Sequence, residues 1–286
     1  MRFLKHTLDL FVFGNLLIAI AAVCMTYVTQ LLLFNTLFFH PYLMLVFFAT
    51  WFVYNSHRVW GIFTAQEKDY LPARVKWAIL HKQFMYFITF CSFAGMLTYV
   101  FICKLNIIVF LAPLAIPALG YTFPIIGKCL GIASFRTIPA VKTFLIAFVW
   151  AAVTVLIPVV YNNANIDKPV QLQLIERFVF IFALTLPFEM RDIALDKKDG
   201  IKSIAVLLGF ERTMLIAKTT TITLWGIYII HYADNLRFSL PMVLSAFITW
   251  LAVKNTKADS GEYHYLLLLD GMMILQLFLL ILFVIL

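Results

Sequence analysis

Glu189-Met-Arg-Asp192-Ile-Ala-Leu-Asp196-Lys-Lys-Asp199-Gly-Ile-Lys-Ser-Ile-Ala-Val-Leu-Leu-Gly209 emerges directly from the mostly apolar segment 170–190. Four of the chain's 14 acidic residues lie in it, at Glu189, Asp192, Asp196 and Asp199, spaced three, four and three apart. That spacing sets all four on one face of a helix. Like charges at i,i+4 cost an exposed helix roughly 0.2–0.5 kcal/mol per pair, so the row calls for a counter-charge. A hard divalent cation supplies one, because Mg²⁺ takes one or two carboxylates together with water and phosphate oxygens. Arg191, Lys197, Lys198 and Lys202 balance the same four acids. The row therefore also reads as an internally paired, solvated helix at a membrane edge.

The surrounding chain decides that a membrane is involved. It has 286 residues, 63% hydrophobic and 13% charged, against roughly 45–50% apolar in a soluble domain. This composition excludes a soluble enzyme and a disordered or collagenous chain. The net charge of +8 comes from 22 Lys and Arg scattered between apolar runs, where topology accounts for them, so no nucleic-acid partner is expected. Cys24, Cys91, Cys103 and Cys129 form no CxxC pair and read as small packing residues. Ala19-Ile20-Ala21 fits a signal-peptidase site, but the apolar run continues to Phe34, which predicts a retained spanning helix.

Nine segments approach the roughly 20 apolar residues that a spanning helix needs: 9–33, 41–60, 83–103, 106–126, 138–160, 170–190, 213–232, 237–253 and 264–286. Their apolar runs are continuous rather than alternating, so the class is all-α and not a barrel. Nine spans place eighteen Lys and Arg on the side of the N-terminus and four, Lys104, Lys168, Arg177 and Arg237, on the other. The positive-inside rule then predicts a cytoplasmic N-terminus in a multi-pass integral membrane protein, of the inner membrane if the source is a bacterium. Residues 1–286 read as one domain, with long inner loops at about 61–82 and 191–212 forming a cap.

With Tyr121-Thr-Phe-Pro124, Pro139-x-x-Lys142 and Asp270-Gly-Met-Met-Ile-Leu-Gln276, the acidic run resembles the second Asp-rich motif of the UbiA superfamily of intramembrane prenyltransferases. The resemblance covers nearly the whole chain and implies a UbiA-like bundle of nine helices. It also implies Mg²⁺ held by Glu189, Asp192, Asp196 and Asp199, with Asp192, Asp196 and Lys142 as catalytic residues. Asn55, Arg58, Lys142 and Tyr121 are then the expected diphosphate-binding residues. The implied partners are a prenyl diphosphate, a lipophilic acceptor and membrane lipids.

The family's first motif, N-x-x-x-D-x-x-x-D, is incomplete. Asn55 matches, Val59 and Phe63 stand in the acidic places, and no Asp or Glu occurs between Asp9 and Glu67. The usual pair of metal clusters cannot be built from this half. Arg58 and His57 stand nearby, and a guanidinium grips phosphate oxygens without a metal; the alternative is that both mark the membrane boundary. Lys142 likewise reads as a diphosphate partner or as a snorkelling lysine, and Lys128 and Arg136 as topology signals. The 16% aromatic content suits a tunnel for an isoprenoid tail and equally suits membrane packing.

The expected function is a prenyltransferase that ionises a prenyl diphosphate and passes the prenyl group to a lipophilic acceptor. Alternatives are a non-catalytic lipid- or partner-binding member and an intramembrane terpene cyclase. A transporter has little support, since no repeated pair of Gly- or Pro-broken helices is visible.

Overall fold

The computed structural model describes residues 2–64, 71–122 and 138–284, with side chains for 5–63, 71–116 and 138–284. Among these the chain is all helix: α1 (Arg2–Phe13), α2 (Leu16–Phe34), α3 (Pro41–Thr64), α4 (Ala73–Leu80), α5 (Lys82–Ile102), α6 (Leu105–Thr122), α7 (Val141–Tyr161), α8 (Lys168–Lys198), α9 (Ile204–His231), α10 (Leu236–Lys254) and α11 (His264–Val284). Six of the described helices, α2, α5, α7, α9, α10 and α11, are long and apolar enough to cross a membrane. The other three expected segments coincide with α3, α6 and α8.

Two boundaries depart from the expectation. The first span begins at Leu16 rather than residue 9, because Asn15 turns into the left-handed region (φ 58°) and ends α1. An Asn tolerates that conformation through local hydrogen bonding, and here its amide donates to Asn55 Oδ1 at 2.8 Å. The stretch 191–212 is mostly helix rather than a long loop. Helix α8 runs on to Lys198, and α9 starts at Ile204. At about 1.5 Å per residue, 31 residues outreach the roughly 30 Å hydrocarbon core, so the acidic row stands at the end of α8. A Schellman turn stops it: Gly200 (φ 69°) lets Ile201 N–H reach Asp196 O at 2.8 Å and Gly200 N–H reach Lys197 O at 3.3 Å.

The helices close into a ring. Helix α2 packs on α3, α3 on α6, α6 on α7, then α7, α8, α9, α10 and α11 follow pairwise, and α11 returns to α2. Helix α5 packs against α3 and contributes Phe93, Met96 and Val100 to the lining of the central cavity. Lipid is as apolar as leucine, so close packing rather than water exclusion holds such helices together. Fully buried Ala19, Ala21, Ala147, Ala183, Ala217 and Ala246 supply the small surfaces this needs. Helix α7 carries a π-helical turn, Ala152–Leu156, just before Pro158, whose missing N–H and ring disrupt the α ladder there.

At Gly95 α5 packs tightly against Phe48 of α3: a Cβ built there would lie 2.5 Å from Phe48 Cδ1. Gly95→Val is expected to destabilise by about 1–3 kcal/mol through overpacking. A melting curve in detergent checks this, and an unchanged midpoint would refute the close approach.

Candidate active site

Inside the ring is a cavity of about 940 Å³. Its walls are apolar, with Leu45, Val46, Val149, Val153, Ile181 and Leu184 among the lining residues. Its charged residues come from five helices, Asp270 of α11 among them. Arg58 projects from α3, Arg74 from α4, Lys142 from the start of α7, and Glu189, Arg191, Asp192 and Asp196 from the end of α8, with Asp199 just beyond it. The i, i+3, i+7 spacing of Glu189, Asp192 and Asp196 sets them along one face of α8, and that face lines the cavity.

A closed ring of ion pairs organises this mouth. Arg74 donates to Asp192 at 2.7 Å and to both Glu262 oxygens at 3.0 and 3.2 Å. Arg191 donates to both Asp192 oxygens at 2.9 and 3.0 Å and to Glu262 at 3.1 Å. Two arginines therefore alternate with two carboxylates, all mostly buried. Arg191 is further fixed 5.1 Å from the centroids of the Phe188 and Tyr265 rings. One turn on, Lys142 Nζ meets Asp196 at 3.2 Å.

Two expected site residues serve partly as braces. Glu189, almost fully buried, accepts from the Thr143 hydroxyl and, at 3.4 Å, from Ala205 N–H at the start of α9, where a helix N-terminus favours a carboxylate. Asn55, fully buried, lies behind Asn15, whose Oδ1 in turn accepts from Arg58 Nη2 at 3.4 Å. Asn15 and Arg58 line the cavity. At its inner end α3 turns Tyr54, His57, Arg58, Trp60 and Gly61 to the cavity, whereas Val59 packs with Ile62 and Met85 and Phe63 is 61% exposed. Tyr121 belongs to the last turn of α6, but its side chain, like Lys128 and Arg136, lies outside the described residues.

Arg74, Glu262 and Asn15 were not among the expected site residues. Arg74 reads in the sequence only as an inner basic residue. Glu262 belongs to no motif and reaches its partner across 188 residues. Just after it, Tyr263 donates to Asp9 and joins α1 to the same assembly. Burial and this bond to Asp9 push the Tyr263 hydroxyl up to about 12, so it remains a donor at neutral pH.

By sequence the chain matches no family model and no curated relative. Its fold does match solved structures. A UbiA homologue from Archaeoglobus fulgidus bound to DMAPP and Mg²⁺ aligns with TM-score 0.61 at 13% identity, over 95% of each chain. The same protein bound to Cd²⁺ aligns over 96% of this chain and all of that one, with TM-score 0.61 and 13% identity. An apo UbiA homologue from Aeropyrum pernix aligns with TM-score 0.62 at 14% identity, over 93% and 94% of the two chains. The chain has the UbiA fold.

Within this UbiA fold the donor chemistry bears on Mg²⁺. Asp192, Asp196 and Asp199 bring hard oxygen donors to the cavity lining, and one or two carboxylates suffice for an ion that keeps water and phosphate ligands. The residues fit one such ion. Among the described residues the two first-motif places offer nothing to a second, since Val59 and Phe63 carry no donor and do not line the cavity. No three His, Cys, Asp or Glu side chains among the described residues group as a ready-made metal cage.

Proposed function

We propose that this protein is an integral-membrane prenyltransferase whose charged mouth takes the diphosphate of a prenyl diphosphate and whose apolar cavity takes the tail. The observation that carries this is one cavity of about 940 Å³ with apolar walls and with Arg58, Arg74, Arg191 and Lys142 among its lining residues. DMAPP, bound by the Archaeoglobus fulgidus homologue, is a small prenyl diphosphate. The coincidence of fold and charge pattern supports the same substrate class here.

In the proposed mechanism the guanidiniums and Lys142 hold the diphosphate oxygens by charge-assisted hydrogen bonds. They stabilise the charge that develops as the allylic C–O bond breaks and its electron pair leaves with the diphosphate. Asp192 and Asp196, with Glu189 and Asp199 beside them, would hold Mg²⁺, which when bound adds neutralising charge at the leaving group. Exchange of partners makes both modes compatible: a diphosphate that engages the cations releases carboxylates from their present ion pairs. Residues 71–82 and 191–212 form the cap over this mouth, on the cytoplasmic side with the N-terminus; residues 65–70 of the expected cap lie outside the described residues. The prenyl group then passes to a lipophilic acceptor within the ring.

Detergent-purified protein is expected to bind geranylgeranyl diphosphate in a Mg²⁺-dependent manner and to release pyrophosphate once an acceptor is supplied. No binding would defeat the proposal. The second reading, a binding protein without turnover, is favoured by the incomplete first motif; tight binding with no release across a broad acceptor panel would establish it. The double substitution Val59→Asp with Phe63→Asp is expected to leave turnover unchanged, because neither position lines the cavity. A gain measured in the pyrophosphate assay would show that the α3 face has been misassigned.

A further inference from the structure

Asp270, at the point where α11 leaves its π-helical turn His264–Leu269, lines the cavity and is 9% exposed. Among the described residues its carboxylate has no hydrogen bond and no ion pair. Arg191, which interacts with it through space, aims its donors elsewhere: Nε and Nη2 go to Asp192 and Nη1 to Glu262. Leu266 and Met273, on the same helix, line the cavity beside it. A buried acid without a partner is costly, and within membrane helices such groups are tied to function. π-turns also concentrate at functional sites.

From this geometry we infer that Asp270 is the base of the transfer step and that the acceptor carries a hydroxyl. The inference rests on the prenyl-transfer reading above. The allylic C–O bond breaks with its electron pair going to the diphosphate. A lone pair of the acceptor oxygen forms the new bond to that carbon, and the acceptor O–H proton passes to the Asp270 carboxylate and then to water at the mouth. Charge and atoms balance with no redox partner. Arg191 links the two halves of the site, since it lies within coulombic range of Asp270 while its hydrogen bonds build the mouth. A hydrocarbon acceptor would give the carboxylate nothing to bind before reaction, whereas a hydroxyl supplies the donor that Asp270 lacks.

The test compares wild type with Asp270→Asn and Asp270→Glu. Geranylgeranyl diphosphate is the donor, a panel of long-chain phenols, glycerol ethers and squalene supplies acceptors, and the non-ionising thiolodiphosphate analogue reads binding. Wild type is expected to transfer to hydroxylated acceptors and not to squalene. Asp270→Asn is expected to lose about 10²–10⁴-fold in transfer rate, the usual worth of a positioned base, while the Kd for the analogue stays unchanged. Asp270→Glu is expected to recover part of the rate. Equal rates in wild type and Asp270→Asn would overturn the inference, as would parallel loss of analogue binding or transfer to squalene alone. Absence of any rescue, with Asp270→Glu melting as low as Asp270→Asn, would assign Asp270 to packing and overturn it too. A wild type that binds no prenyl diphosphate would sink the earlier reading itself, a result read on the unaltered protein and so distinct from the others.

Discussion

Asp192→Ala is expected to abolish diphosphate binding and to destabilise the protein by about 3–5 kcal/mol, the cost of removing one partner from a buried ion pair. Asp192 joins Arg74 from α4 to Arg191 on its own helix. Without it the two guanidiniums share only Glu262, and the mouth loses the charge alternation that holds α4 against α8. Asp196→Ala makes the informative comparison. Among the described residues Asp196 makes one ion pair, with Lys142, so diphosphate binding should fall as far while the melting point falls less. Calorimetric titration with geranylgeranyl diphosphate and Mg²⁺, beside melting curves, reads both quantities. Wild-type affinity in Asp192→Ala would remove the acidic row from the site.

Arg177→Ala is expected to give a loss of similar size in stability and none in diphosphate affinity. Arg177 is buried in α8, far from the mouth, and donates to Met25 O at 2.7 Å and Thr154 Oγ1 at 2.8 Å. Its neighbour Glu176 is equally buried and accepts from Tyr232 at 2.9 Å, with His231 Nδ1 at 2.5 Å. Deleting the guanidinium removes the arginine charge that interacts with Glu176 through space, in a medium that solvates charge poorly. The loss is expected at about 3–5 kcal/mol, and the double variant Arg177→Met with Glu176→Gln should lose less than the sum of the two singles. Additive melting shifts would show that the two charges do not communicate.

This second cluster shows where the sequence was silent. Arg177 reads in the linear chain as an outer boundary charge, because hydropathy counts a charge near a span end without knowing which way the helix turns. Its acceptors lie on α2 and α7, at 152 and 23 residues' separation. Arg74 and Glu262 were hidden in the same way. The apolar runs behind α2, α3 and α5 to α11 were legible because membrane thickness imposes a length. The acidic row was legible because its spacing matches the helix period. Asn55 stood out by type, but only coordinates reveal that it props Asn15 and Arg58 rather than facing the cavity. At the end of α8 the two sequence readings conflicted: polarity put 191–212 in a loop while the acid spacing asked for a helix, and the spacing was right, since the left-handed residue that ends the helix is Gly200.

The ion ring also sets an order of events in biosynthesis. Arg74 meets Asp192 across 118 residues and Glu262 across 188, and its last member precedes α11. A ribosome releases the N-terminal helices to the bilayer long before Glu262 is translated, so a nascent chain stalled after α10 holds Arg74 and Arg191 with one carboxylate between them. The mouth is finished only when the final hairpin is delivered.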